Sequence, residues 1–254
     1  MILAVDIGNT NIVVGLIRNK EILNSSRIAT DRKKTDMDFL IQLKLMLEIF
    51  DCKAENIDGS ILSSVVPDVT NQIYNALKTL LNKKPYVVGP GIKTGLNIKI
   101  DNPQTLGADR VCDAVCIIEE YKTPTIIIDM GTATTISVID KYKNHIGGMI
   151  IPGIKTSLDS LSNNASQLPY ISLDKPKSLI GKNTIDCMKS GIINGNVCLI
   201  DGLIDKIKEE LNEDFTIVAT GGFSKLILEH SRHKIIFDSD LLLKGLYYIY
   251  EKNA

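Results

Sequence analysis

Apolar positions along the chain fall into two rhythms. Runs of consecutive apolar or β-branched residues, bounded by small polar ones, predict buried strands. These are a strand pair over residues 1–18, a third strand over 21–30, and further strands over 59–66, 85–89, 125–129, 134–140, 145–153 and 215–220. Elsewhere apolar residues recur at three- and four-residue spacing, as at Phe39, Leu40, Leu43, Leu47 and Phe50, or Ile73, Leu77 and Leu81. That spacing predicts helices over 36–50, from Pro67 to about 81, over 111–121, from Ile154, over 184–194, over 196–211, after Gly222, and over a closing segment at 239–252. The order, three strands then helices alternating with strands, followed by a second such set, is that of an α/β protein. Residues 166–184 are proline-marked and show neither rhythm. A loop of that length inside a compact domain tends to serve function.

Two of the predicted strands end alike. AVDIGNTNIVVGL (residues 4–16) and IIDMGTATTISVI (127–139) align so that Asp6-Ile7-Gly8-Asn9-Thr10 lies over Asp129-Met130-Gly131-Thr132-Ala133. Each Asp closes an apolar strand, and a β-branched run follows each turn. Gly8-Asn9 alone is ordinary hairpin chemistry. Its echo at half the chain length argues for two similar halves, here divided as 1–116 and 117–254, each a mixed sheet with helices. A cleft between such halves is a common ligand site.

The turn chemistry suits a polyphosphate. Backbone amides at tight turns, small hydroxyl and amide side chains, and carboxylates acting through Mg²⁺ are what hold a triphosphate. Glycine lets the backbone come close. Residues Gly8 to Asn11 and Gly131-Thr132 offer this, and VATGGFSKL (218–226) adds a strand, Gly221-Gly222 and a helix start. Neither GxxxxGK[ST] nor GxGxxG occurs, which disfavours a P-loop and a dinucleotide fold. The ordered set resembles the superfamily of acetate and sugar kinases, heat-shock ATPases and actin. That resemblance implies two ribonuclease-H-like (actin-like ATPase) domains with mixed sheets around a central cleft that holds ATP.

Gly107-Ala108-Asp109-Arg110 stands just before the helix predicted from 111. An acid there can simply cap the helix. It can also take the proton of an attacking hydroxyl while Arg110 holds an anionic group of the substrate. The run Asp6-Ile-Gly-Asn-Thr, Asn102-Pro103 with Gly107 to Arg110, Asp129-Met-Gly-Thr-Ala, Gly147 to Gly153, Asn183-Thr184 with Ser190-Gly191, and Thr220-Gly-Gly222 is collinear end to end with the motif series of type III pantothenate kinases, which the chain resembles. The resemblance implies ATP-dependent phosphorylation of the primary hydroxyl of pantothenate, the first step toward coenzyme A. It implies Asp109 as catalytic base and Gly107, Ala108, Asp109, Arg110 and Thr184 at pantothenate. It places Asp6, Ile7, Gly8, Asn9, Thr10, Asn11, Ile12, Val13 and Thr132 around Mg²⁺-ATP, with Gly221 and Gly222 beside them. Asp129 would bind the monovalent cation, K⁺ or NH₄⁺. The family is a homodimer, and the 166–184 loop would bridge partners. Where relatives often carry Tyr before the acid-Asn-Pro run, this chain has Ile100.

Composition narrows the alternatives. The chain has 254 residues, 44% hydrophobic and 23% charged, with net charge −1. Near-neutral charge argues against a nucleic-acid partner, and no run of about 18 apolar residues predicts a membrane span. The chain opens directly on a strand, with no leader pattern, so a cytoplasmic protein is expected. Five cysteines (52, 112, 116, 187 and 198) form no CxxC pair and read as reduced thiols. His230 and His233 share a helical face without accompanying ligands, so no transition-metal site is expected. Two other functions compete: a catalytically weak relative acting as a transcription accessory protein, and a different small-molecule kinase on the same fold. The first need not keep Asp109 and both hairpins. The second usually needs a larger sugar-binding insertion.

Overall fold

The computed structural model describes residues 1–254, which divide into two compact units. Unit 1 comprises Met1–Glu120 with Asp240–Ala254, and unit 2 comprises Tyr121–Ser239. Unit 1 begins with β1 (Ile2–Ile7), β2 (Asn11–Arg18), β3 (Glu21–Ala29), α1 (Asp36–Ile49), β4 (Gly59–Ser64), α2 (Pro67–Leu81), the two-residue strands β5 (Tyr86–Val87) and β6 (Asn97–Ile98), and α3 (Ala108–Glu120). Its sheet runs β3-β2-β1-β4-β5, with β1, β2 and β3 antiparallel and β4 and β5 parallel to β1. Central β1 is buried on both faces, which is why residues 2–5 are uniformly apolar rather than alternating. Asn19 and Lys20 both take positive φ, 50° and 72°, as the tight turn between β2 and β3 requires.

Unit 2 repeats this plan with β7 (Thr125–Met130), β8 (Ala133–Ile139), β9 (Asn144–Pro152), α4 (Ile154–Asn164), α5 (Thr184–Leu211), β10 (Thr216–Thr220), α6 (Ser224–Leu228) and β11 (Ile236–Phe237). Its strands run β9-β8-β7-β10-β11, with the same senses as their counterparts in unit 1. The paired Asp-Gly motifs therefore mark the same topological position, the end of the central strand, in each unit. Helices α4, α5 and α6 cover one sheet face with a core that includes Ile128, Ile136, Leu158, Ile193, Ile200 and Ile227.

Three of the helices differ from the sequence reading. The two helices expected at 184–194 and 196–211 are one helix, α5. Gly195 and Asn196 look like a turn, yet the apolar face runs through them at Ile192, Ile193, Val197 and Ile200, all buried. The Asn196 side chain donates to the Ile192 carbonyl at 2.7 Å instead of breaking the helix. Helix α3 starts at Ala108, three residues before the predicted 111. The closing helix α7 (Leu241–Glu251), expected in the second half, belongs to unit 1, and the first segment of that unit ends at Glu120 rather than 116.

Helix α7 packs on α3 through Gly245. A Cβ built there would lie 1.9 Å from the Cys112 carbonyl oxygen, so only glycine lets the two helices touch. The resulting core joins Ile2, Ala4 and Ile61 of the sheet to Val111, Cys112, Val115, Leu246 and Ile249. On the opposite sheet face α1 and α2 supply Phe39, Leu43, Ile73 and Leu77. With one face held by α1 and α2 and the other by α3 and α7, unit 1 fixes the ends of β1 and α3, where its predicted functional residues lie.

Candidate active site

Asp6 is the penultimate residue of β1, half-buried, opposite Val13 on β2 and beside Ser63 on parallel β4. The Gly8 amide donates to the Asn11 carbonyl at 3.0 Å and closes the turn, leaving Asn9, Thr10 and Asn11 exposed. A side chain at Gly8 would press on that same carbonyl, at 3.1 Å. The turn is tied down by Thr30, just past the end of β3. Its hydroxyl donates to the Gly8 carbonyl at 2.7 Å, and its amide donates to the Thr10 carbonyl at 3.0 Å. Sequence reasoning missed Thr30. Its signal is the β2–β3 register, which carries residue 29 back to Asn11.

Asp109 sits in the first turn of α3, half-buried, where the helix N-terminus favours negative charge. Its Oδ1 accepts the Arg110 amide at 2.8 Å. A Cβ on Gly107 would lie 2.4 Å from that oxygen, so Gly107 is what lets the carboxylate fold back over its own helix start. Arg110 is half-buried as well. Burial pushes its pKa down, while the negative charges of Asp109 and then Asp113 push it back up.

Asp6 follows Ala4 by two residues on β1 and so shares the sheet face on which α3 packs through Cys112. Cys112 lies buried on α3, and burial first, then the charges of Asp6, Asp113 and Asp109, raise its thiol well above the ordinary range. The charges of Asp6 on β1 and of Asp109 and Asp113 on α3 thus act on one sulfur within unit 1. The thiol stays protonated there and acts as a small apolar spacer.

In unit 2 Asp129 takes the place of Asp6. It lies opposite Thr135 on β8 and beside Thr220 on parallel β10. Its Oδ1 lies 4.0 Å from a Cβ built on Gly131, so the carboxylate leans toward the turn. The Gly131 amide donates to the Ala133 carbonyl at 3.1 Å. Two further glycines press on this turn. A Cβ on Gly153 would lie 2.4 Å from the carbonyl oxygens of Gly131 and Thr132, and one on Gly221, whose φ is +95°, would lie 2.5 Å from the Met130 carbonyl oxygen. The Thr132 carbonyl accepts the Gly153 amide at 3.1 Å and the Thr156 hydroxyl at 2.6 Å. Gly131, Gly153 and Gly221, spread over 91 positions of sequence, converge on one loop.

Gly222 meets nothing within 4 Å, so the close approach belongs to Gly221 alone. Helix α6 is too short to offer the dipole-bearing N-terminus expected after Gly222. Thr184 is exposed in the first turn of α5, capped by Asn183, whose side chain accepts the Asp186 amide at 2.9 Å. The stretch from 166 to 183 forms no helix or strand. It is seated on its unit through the Ser190 hydroxyl, which donates to the Leu179 carbonyl at 2.5 Å, and through Lys189 to Asp174, also at 2.5 Å. Ile100 packs at the edge of the α3–α7 core. A shallow depression lined by Asp140, Tyr142 and Phe215 lies at the far end of β8 from Gly131 and holds none of these residues.

Twin mixed sheets of one topology, each with an acidic turn at the end of its central strand, define an actin-like, sugar-kinase type of fold. Solved structures agree on that fold. The activator of 2-hydroxyisocaproyl-CoA dehydratase from Clostridium difficile, solved with bound ADPNP, matches with a TM-score of 0.56 at 14% identity, covering 98% of this chain and 94% of that one. Component A of (R)-2-hydroxyglutaryl-CoA dehydratase from Acidaminococcus fermentans matches at 0.57 and 15%, covering 98% and 96%.

Sequence comparison is narrower. The family model for type III pantothenate kinase matches residues 2–206. A type III pantothenate kinase from Exiguobacterium sibiricum is 46% identical over 253 residues, covering 100% of both chains, and one from Bacillus cytotoxicus is 44% identical over 254 residues, covering 100% of this chain and 97% of its own. The chain belongs to the type III pantothenate kinase family.

Proposed function

We propose that this chain transfers the γ-phosphoryl group of ATP to the primary hydroxyl of pantothenate, the first step of coenzyme A synthesis, with Asp109 as the base. The observation that carries the assignment is Asp109 itself. It is a carboxylate fixed in the first turn of α3 by a bond from the next backbone amide, with Arg110 following it in the same turn. The hydroxyl oxygen attacks the γ-phosphorus, the bond from phosphorus to the bridging oxygen breaks, ADP leaves, and the hydroxyl proton passes to Asp109. A carboxylate is a weak base at neutral pH. It suffices where the transition state is loose and the proton moves late. Arg110 holds the substrate's carboxylate, and Gly107 and Ala108 let the backbone come close. Thr184 makes a further substrate contact.

Residues Asp6 to Val13, with Thr132, Gly221 and Gly222, are assigned to ATP. Asp6 and Asp129 supply hard oxygen donors beside glycine turns, which fits cations that accompany phosphate. Mg²⁺ on the nucleotide and a monovalent cation at Asp129, K⁺ or NH₄⁺, would offset phosphate repulsion. A homodimer in the cytoplasm completes the reading. No helix of the chain is long and apolar enough to cross a membrane.

The test is pantothenate-dependent ADP release by purified protein with MgATP and K⁺. Substituting Na⁺ for K⁺ is expected to lower turnover at least tenfold, on the order of one lost charge interaction, and unchanged turnover removes the cation from Asp129. Thr30→Val removes the hydroxyl bond to Gly8 and keeps the amide bond to Thr10. It is expected to raise KM for ATP by roughly fivefold, the scale of one hydrogen bond, with KM for pantothenate unchanged. Equal rises in both would detach Thr30 from the nucleotide turn.

A further inference from the structure

Asp113 is absent from the motif series, yet it is a carboxylate only 3% exposed inside α3. A buried carboxylate needs a cation or several donors, because leaving water costs far more than packing returns. Helical spacing sets a cation one turn away. Arg110 precedes Asp113 by three residues and Asp109 precedes it by four, so all three occupy adjacent positions on one side of the helix. The charges of Asp109 and Asp113 both act on the Arg110 guanidinium. Both also reach the Cys112 thiol, together with Asp6. No other Lys or Arg lies within α3.

We propose that Asp113 is a positioning residue for Arg110, holding the guanidinium in place for the carboxylate of the substrate so that Asp109 can turn to the hydroxyl. The inference rests on the kinase reading above, in which one helix turn must do two things. Asp109 has to face the reacting oxygen, and Arg110 has to face an anion at the other end of the same molecule. If Asp109 were the sole counter-charge of Arg110, its turn toward the hydroxyl would release the guanidinium. A second acid, one turn further into the core, keeps Arg110 aimed while Asp109 works.

The test compares pantothenate with its neutral analogue, in which the carboxylate is reduced to a primary alcohol. Wild-type protein is expected to prefer the acid. Asp113→Asn is expected to lower kcat/KM for pantothenate by about tenfold to a hundredfold, the scale of a lost charge-assisted bond, mainly through KM. The neutral analogue should change less than twofold, because it offers Arg110 no anion. Asp113→Glu keeps the charge and is expected to retain the preference for the acid within threefold, even if the Asn protein does not fold. Equal loss on both substrates, loss on neither, or a preference that collapses in the Glu protein would each overturn the proposal. Wild-type protein that phosphorylates neither compound would instead overturn the kinase reading, so the two failures are distinguishable.

Discussion

Asp109→Asn is expected to lower kcat for pantothenate phosphorylation by about 10²- to 10⁴-fold, with KM for ATP and pantothenate changed less than threefold. The amide preserves shape, and its oxygen can still accept the Arg110 amide, so the start of α3 should survive. What it loses is the capacity to take a proton. Binding of both ligands, measured by calorimetry on the variant, separates this from collapse of the site. Turnover at the wild-type rate with both ligands bound would remove Asp109 as the base. A large rise in both KM values would make it a structural cap instead.

Gly245→Ala is expected to destabilise unit 1 by roughly 3 kcal/mol, the upper range for overpacking a core, lowering Tm by several degrees. The sign is the informative part. Alanine is the better helix former by about 1 kcal/mol, so an unobstructed Gly245→Ala would stabilise the protein. Gly202 in α5 is the control, since a Cβ there meets nothing within 4 Å. Its replacement by Ala should raise stability by up to about 1 kcal/mol. Opposite signs at the two positions, read from thermal or urea melts, support the backbone contact of α3 and α7. Stabilisation at both would mean the helices do not meet at Cys112.

The sequence displayed the two acidic turns plainly, because a strand, an Asp and a glycine recur in register and nothing but repetition is needed to see it. The helix that follows Asp109 was likewise visible from its apolar run, but its start, at Ala108, lies three residues before the predicted 111 because polar Asp109 and Arg110 form its first turn. Other features depend on three-dimensional partners. Gly245 interrupts a helical pattern without saying which helix it touches, so chain order put α7 with the wrong sheet. Gly195-Asn196 carries turn chemistry, and only the continuous burial of Ile192, Ile193, Val197 and Ile200 keeps α5 whole. Thr30 acts at the Gly8 turn through a strand pairing that places it there. Asp113 carries no motif, and its burial shows only once α3 is seen to be buried throughout residues 111–118.

Phosphorus NMR of a reaction containing purified protein, pantothenate, MgATP and K⁺ tests the central assignment most directly. The account predicts a new phosphomonoester signal that appears with ADP and splits into a triplet, because the phosphorus is joined through oxygen to a CH₂ group. ADP formed only as free phosphate accumulates, or a doublet marking the secondary hydroxyl, would contradict it.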